Sequence, residues 1–94
     1  MSETIARRVV RLVNKEGLHA RPSQMIVETA NRYGARITIR IGEKEADGKS
    51  ILELMMMASP CGSEIEIAAE GEDAEAAVEA LGDLILSGFG EELA

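Results

Sequence analysis

The chain has almost no aromatic residues and few of the side chains that catalysis usually employs. Of its 94 residues one is tyrosine, one is phenylalanine and none is tryptophan, so it lacks the stacking platforms of single-strand nucleic-acid binding proteins. A single cysteine excludes an intrachain disulfide and a paired-cysteine metal site. His19 is the sole histidine, and we expect any proton or group transfer to depend on it, with no metal and no cofactor.

Basic charge and long apolar runs are also scarce. The formal net charge is −7, which argues against nucleic acid as the main partner because phosphate neutralisation needs clustered cations. Hydrophobic residues are too interrupted for membrane insertion. Residues 1–4 lack the basic start and apolar stretch of a signal peptide. We therefore expect a cytoplasmic, monomeric protein with a single domain spanning residues 1–94.

The hydrophobic pattern predicts seven elements in the order βαββαβα. Clean alternation in the strands indicates a sheet with one buried and one solvated face, which favours an α+β fold: a four-stranded antiparallel sheet with three helices on one face. Gly34 stands where a glycine commonly closes a helix. The predicted strands are 5–13, 35–41, 44–46 and 64–69, and the predicted helices are 20–33, 51–57 and 74–86.

Charges on the solvated faces predict the order of the strands. Arginines occupy the first two long strands, and glutamates occupy the last one. If the last strand lies between them, oppositely charged side chains can pair across it. The arginines concerned are Arg7, Arg11, Arg36 and Arg40, and their expected partners are Glu64 and Glu66.

The histidine stands where a loop becomes a helix. Pro22 suits the first helical turn, and the N–H groups of Ala20, Arg21 and Ser23 are predicted to be free donors at the positive helix end. Such a helix start binds anions, phosphate in particular, and Arg21 adds a fixed charge. The same field disfavours an imidazolium, so we expect a neutral, nucleophilic His19. The alternative is that His19 is only a weak cap or a half-buried polar residue.

The segment Gly17-Leu18-His19-Ala20-Arg21-Pro22 resembles the active-site signature of the HPr phosphocarriers of the bacterial phosphoenolpyruvate-dependent sugar phosphotransferase system. Two further segments, 48–52 and 69–73, are similar to later landmarks of that family, so the resemblance spans essentially the whole chain. It implies an open-faced β-sandwich and a carrier that is not an enzyme. It also implies phosphorylation of His19 at Nδ1 by enzyme I, with Arg21 as charge partner, and transfer to enzyme IIA domains.

Phosphate binding is assigned to the residues that flank the histidine. We expect Gly17, Ala20 and Arg21 to contact the phosphoryl group. Gly17 also allows a sharp turn, so that a partner can approach closely.

Gly48-Lys49-Ser50 precedes the second helix. A P-loop is excluded because Gly42 and Gly48 enclose five residues instead of four, three of them acidic. Ser50 is expected to cap the helix, with Glu53 completing a capping box. By resemblance, Ser50 matches the serine that a regulatory kinase/phosphorylase modifies in some HPr proteins.

The second helix is too short to bury all its apolar residues. We expect Leu54 and Met57 in the core, and Ile51, Leu52 and Met55 exposed near His19 as a partner-docking surface. The alternative is that Met55–Met57 only fill the core. Ser23 departs from the family's usual alanine and places a hydroxyl near the phosphate, Glu16 modestly opposes phosphate, and residues 89–94 have no evident role.

Three functions compete. The leading hypothesis is a phosphoryl relay through His19. The second is a regulatory binding module with the same fold. The third, a small enzyme, is disfavoured because only His19 can act as a conventional base.

Overall fold

The computed structural model describes residues 4–94, and it has the predicted order of strands and helices. A short 3₁₀ turn follows the last helix. The strands are β1 (Ile5–Arg11), β2 (Arg36–Ile41), β3 (Lys44–Asp47) and β4 (Glu64–Glu70); the helices are α1 (Ala20–Ala30), α2 (Ile51–Met57) and α3 (Ala74–Leu86); the 3₁₀ turn is Gly88–Gly90.

The four strands form one antiparallel sheet in the order β1-β4-β2-β3. The prediction that β4 lies between β1 and β2 is therefore confirmed. The expected charge pairing is correct only in part. Arg11 and Arg40 approach Glu64 and Glu66 at 3.7 and 4.0 Å. Arg7 lies opposite Ala68 and Arg36 opposite Glu70 in the register, so these two arginines do not pair with Glu64 or Glu66.

Alternate residues of the strands meet the apolar faces of the helices in one core. Each buried isoleucine or leucine side chain contributes about 1.5–3 kcal/mol through removal of apolar surface from water. The core leaves the solvated face of the sheet and the starts of α1 and α2 at the surface. Its largest fully buried aliphatic residues are Leu12, Ile26, Ile37, Ile39, Leu54, Ile65, Ile67, Leu81 and Ile85.

The first helix is shorter than predicted. It ends at Ala30, and the next residues turn more tightly, with the Tyr33 N–H donating to the Ala30 carbonyl at 3.1 Å. Asp73 accepts hydrogen bonds from the N–H groups of Gly34 and Ala35 at 2.8 and 2.9 Å. This carboxylate holds residues 34 and 35 in the entry to β2, so Gly34 is not the helix-closing glycine.

The first strand also ends earlier than predicted, at Arg11 instead of Val13. Val13 pairs instead with the end of the chain: its carbonyl accepts a hydrogen bond from the Ala94 N–H at 3.0 Å. The residues that lead to His19 are therefore paired with the C-terminal segment.

Candidate functional site

His19 is the residue immediately before α1 and has an extended backbone conformation. Its side chain makes no capping hydrogen bond to the helix, so it is not the weak cap of the alternative interpretation. The ring is 40% exposed. The side chain is therefore accessible to a partner.

The start of α1 offers fewer donors than predicted. The Ser23 N–H donates to the His19 carbonyl at 3.0 Å, which is the first regular bond of the helix, so the expectation of a free Ser23 N–H is wrong. Pro22 has no N–H. Within residues 4–94, nothing accepts a hydrogen bond from the N–H of Ala20 or Arg21. These two groups are the open donors at the positive end of the helix.

The other side chains predicted near His19 differ in how far they are exposed to solvent. The Arg21 side chain is exposed, with no ion-pair partner in the described part of the chain. Ser23 is fully buried, and its hydroxyl has no hydrogen-bond partner among residues 4–94. It therefore does not present a hydroxyl at the surface beside His19. Glu16 is exposed.

Gly17 is required by two features of the loop before His19. Its φ of +72° lies in the left-handed region, where a side chain is strained. A Cβ at this position would clash with the Ser59 carbonyl oxygen and lie 2.9 Å from the Pro60 carbonyl carbon. The predicted sharp turn is present, and it brings the loop against the segment that contains Ser59 and Pro60.

The C-terminal segment supplies a side chain that the sequence analysis missed. Oε1 of Glu91 lies 3.0 Å from Nε2 of His19. Nδ2 of Asn14 donates to the same oxygen at 3.0 Å and to the Gly17 carbonyl at 2.7 Å. Asn14 thus connects the carboxylate to the loop that carries the histidine.

The surroundings of Glu91 keep its carboxyl group ionised. The hydrogen bond with His19 lowers the pKa of Glu91 below its ordinary value. Burial acts in the opposite direction, while the hydrogen bond from Asn14 and the electrostatic influence of His19 and Arg21 also lower the pKa. A carboxylate can only accept, so Nε2 must carry the proton of this hydrogen bond.

One feature of the sequence, its single phenylalanine, indicates that the C-terminal segment is packed, although it does not predict that this segment contacts His19. Phe89 is the only phenylalanine, it is 2% exposed, and it adopts φ +59°. The Lys15 N–H donates to the Glu92 carbonyl at 2.8 Å, next to a bridge between Asn14 and Leu93. We call residues 91–94 the tail. It pairs with residues 13–15, a contact that the sequence does not indicate.

The second predicted site lies at the start of α2. Ser50 caps the helix: its Oγ accepts a hydrogen bond from the Glu53 N–H at 3.3 Å. The capping box is incomplete because the Glu53 carboxylate accepts from the Asp47 N–H at 3.0 Å, whereas the Ser50 N–H donates to the Asp47 carbonyl. Lys49 donates from Nζ to the Tyr33 carbonyl at 2.7 Å, which connects this loop to the turn that follows α1.

The apolar residues of α2 divide between core and surface. Leu54 and Met57 are buried, as expected. The α2 surface consists of Ile51, Leu52, Met55 and Met56, which are 41, 69, 45 and 74% exposed. Met56 was not predicted to be exposed, and the exposure of Met55 and Met56 contradicts the interpretation that Met55–Met57 only fill the core.

Residues 4–94 contain no group of three or more His, Cys, Asp or Glu side chains arranged to hold a metal ion. None of the helices in that range is long and apolar enough to cross a membrane.

The chain matches known proteins over most of its length. A family model described as "PTS HPr component phosphorylation site" matches residues 6–87. The phosphocarrier protein HPr of Treponema pallidum (strain Nichols) is 40% identical over 85 residues, covering 90% of this chain and 97% of that protein. The phosphocarrier protein NPr of Shewanella violacea is 39% identical over 88 residues, with 94 and 97% covered.

A solved structure agrees in fold as well as in sequence. The crystal structure of HPr-C-His from Thermoanaerobacter tengcongensis superposes with a TM-score of 0.87 at 40% identity, covering 94% of this chain and 99% of that one. An antiparallel sheet with helices on one face and a phosphorylation-site signature define a phosphocarrier. The chain belongs to the HPr family, the phosphocarriers of the phosphotransferase system.

Proposed function

We propose that His19 accepts a phosphoryl group from phospho-enzyme I at Nδ1 and donates it to enzyme IIA domains in the cytoplasm. The observation that carries this proposal is the placement of the ring. Nε2 is occupied by the hydrogen bond to Glu91 at 3.0 Å, which leaves the Nδ1 lone pair as the available nucleophile. The ring itself stands at the open start of α1.

The transfer needs no group beyond the two partners. The Nδ1 lone pair forms the new bond to phosphorus while the bond between phosphorus and its donor atom in enzyme I breaks, and the departing electron pair stays with the donor. Transfer to enzyme IIA reverses these roles at His19. The protein is regenerated only by the second partner, so it acts as a stoichiometric carrier and not as an enzyme.

The surroundings of the ring suit the charged product. A phosphoryl group on Nδ1 brings negative charge to the N-terminus of α1, where the N–H groups of Ala20 and Arg21 are open donors. The Arg21 guanidinium is exposed and supplies a fixed positive charge. Gly17 contributes by holding the loop in its turned conformation.

Partner proteins are proposed to dock on the α2 surface. Ile51, Leu52 and Met55 were expected there, and Met56 joins them as its most exposed member. Because α1 and α2 are in contact, a partner seated on this surface lies beside the helix that carries the histidine. Unbranched methionine side chains adapt to more than one partner, which suits a carrier that must bind a donor and an acceptor in turn.

We further propose that Ser50 is a site of regulatory phosphorylation by a serine kinase/phosphorylase. Ser50 precedes α2, so a phosphate on it would be compatible with the helix dipole. It would also place two negative charges next to Ile51 and the rest of the α2 surface, close to the Asp47 and Glu53 carboxylates. The expected consequence is weaker binding of acidic partners without loss of the fold.

The relay is tested by labelling the intact protein with phosphoenolpyruvate and enzyme I. We expect one acid-labile phosphoryl group per chain, measured by intact mass, and its complete loss in His19→Ala. Ser50→Ala is the matched control at the other helix start, and it should be labelled like the wild type. An unlabelled wild-type protein, or a labelled His19→Ala variant, would falsify the proposal.

A further inference from the structure

We propose that Glu91 is a positioning residue for phosphoryl transfer: its carboxylate, oriented by Asn14, keeps the proton of His19 on Nε2 and the lone pair on Nδ1. This inference rests on the proposed function. It assigns a role in that reaction to a side chain located 72 positions further along the chain.

The geometry gives the carboxylate a defined position. One oxygen, Oε1, accepts hydrogen bonds from both Asn14 Nδ2 and His19 Nε2, each at 3.0 Å. Asn14 is completely buried, and the same Nδ2 also donates to the Gly17 carbonyl at 2.7 Å. The donor that orients Glu91 is therefore fixed to the loop that carries His19, so the carboxylate and the ring are held relative to one another.

The backbone around Glu91 restrains it in the same way. Phe89 inserts into the core two residues before it. The Glu91 N–H donates to the Gly88 carbonyl at 2.9 Å, and the tail then pairs with residues 13–15 through the Lys15 and Ala94 N–H groups, at 2.8 and 3.0 Å. The side chain is only 18% exposed. Hydrogen bonds therefore hold the backbone at Glu91 itself and in the tail that follows it.

The hydrogen bond matters because neutral imidazole has two tautomers. In the form with the proton on Nδ1, that atom has no lone pair and cannot attack phosphorus. A carboxylate that accepts from Nε2–H favours the competent form and also prevents a flip of the ring that would exchange the two nitrogens. Removing Glu91 therefore lowers the fraction of His19 that is ready to react.

The same contact assists the return step. When the bond between phosphorus and Nδ1 breaks, the electron pair remains on Nδ1. If the proton is kept on Nε2, the departing group is neutral imidazole; without that proton it is an imidazolate, which is a far poorer leaving group. Glu91 holds the proton on Nε2 in the phosphorylated ring as well, so it favours transfer in both directions.

The test compares Glu91→Ala and Glu91→Gln with Glu92→Ala. Glu92 is the neighbouring acidic residue of the tail, its side chain is 78% exposed, and its substitution leaves its backbone hydrogen bond to Lys15 in place. The first readout is the nitrogen NMR spectrum of the unphosphorylated His19 ring above pH 8, which reports the tautomer without any phosphoryl transfer. The second is the rate of phosphoryl uptake from enzyme I at limiting enzyme concentration.

We expect Glu91→Ala to show a mixture of tautomers and an uptake rate about tenfold lower, as the loss of a charge-assisted hydrogen bond predicts. Glu91→Gln retains an acceptor oxygen, so it should restore most of the Nε2–H form and part of the rate. Glu92→Ala should match the wild type in both measurements. A single Nε2–H tautomer in Glu91→Ala, with uptake within twofold of the wild type, would overturn the inference.

Failure of this inference is distinguishable from failure of the relay. The relay fails if wild-type protein is not labelled or if labelling does not depend on His19. The inference fails on the tautomer spectrum of Glu91→Ala, which can be recorded whether or not the protein is labelled.

Discussion

The starts of α1 and α2 have the same backbone arrangement, but their N-cap side chains make different contacts. In each, a buried glycine lies two residues before an N-cap residue with an extended backbone, Gly17 before His19 and Gly48 before Ser50. The Ser50 hydroxyl caps α2 by accepting a hydrogen bond from the Glu53 N–H. The His19 side chain does not cap α1, and its ring is hydrogen-bonded to the carboxylate of Glu91 instead. A helix start capped from within contributes stability, whereas an uncapped one beside a nucleophile can bind a ligand.

Substitution of the two glycines should give the largest difference in stability between the two helix starts. An alanine at 17 is strained by the positive φ and would place its Cβ against the Ser59 carbonyl oxygen, which is backbone and cannot yield easily. We expect Gly17→Ala to lower the free energy of unfolding by about 3 kcal/mol.

Gly48→Ala is the matched variant at the other helix start. Its Cβ would lie 2.6 Å from Cγ2 of Ile37, which is a side-chain atom and not backbone, and Gly48 does not have the positive φ of Gly17. We therefore expect a smaller loss, about 1–2 kcal/mol. Urea denaturation followed by circular dichroism measures the free energy of unfolding of both variants. Equal losses of stability would show that the contact with the Ser59 carbonyl oxygen does not determine the size of the effect at Gly17.

Removal of the Ser50 hydroxyl tests how much the cap of α2 contributes to stability. Ser50→Ala leaves the Glu53 N–H without its acceptor, and we expect the free energy of unfolding to fall by about 1 kcal/mol. Ser50→Asp is the control, because aspartate can cap the helix as serine does. The same urea experiment tests this, and a loss of stability in Ser50→Asp as large as that in Ser50→Ala would speak against capping as the cause.

The smallest expected effect is a pH-dependent contribution of Glu91, beside the start of α1, to the free energy of unfolding. The pKa of Glu91 is lowered in the folded protein relative to its ordinary value of 4.5. Its ionised form therefore stabilises the fold above about pH 4.5, and this contribution is lost as the pH falls through the lower folded pKa. Because the side chain is still partly accessible to solvent, we expect an effect below about 1 kcal/mol.

Glu91→Gln removes this titration. The difference in unfolding free energy between wild type and Glu91→Gln should be largest near pH 7 and should shrink in acid, as measured by urea denaturation at pH 7 and at pH 3. Glu92→Gln controls for the loss of one negative charge. A difference that does not change with pH would contradict the assignment of the lowered pKa to folded-state contacts.

The element order, the fold class and the position of β4 could be predicted because they depend on local periodicity and on the charges of whole strands. Arg11 and Glu64 illustrate this, since their pairing follows once the strand order is known. The ends of α1 and β1 could not be predicted. The residues that follow these elements are hydrogen-bonded to Asp73 and Ala94, and each of these comes from a segment remote in sequence.

The same distinction between local and remote contacts applies to the residues of the candidate site. His19, Arg21 and Pro22 are adjacent in sequence, so their placement at a helix start follows from local rules. Glu91 reaches His19 only because Phe89 anchors the chain and the tail pairs with residues 13–15. No local sequence pattern predicts the contact between Glu91 and His19. The single phenylalanine, Phe89, indicates only that the segment around it is packed against the core.

The pairing between the tail and residues 13–15 has a consequence for how the molecule responds to heat. Few backbone hydrogen bonds join these segments, whereas β1 and β4 are paired over seven residues each. Local opening of such a small unit costs less free energy than global unfolding. The amides of Lys15 and Ala94 should accordingly exchange with solvent faster than those of β4. On the proposed role of Glu91, the carrier loses part of its reactivity on warming while its sheet is still intact.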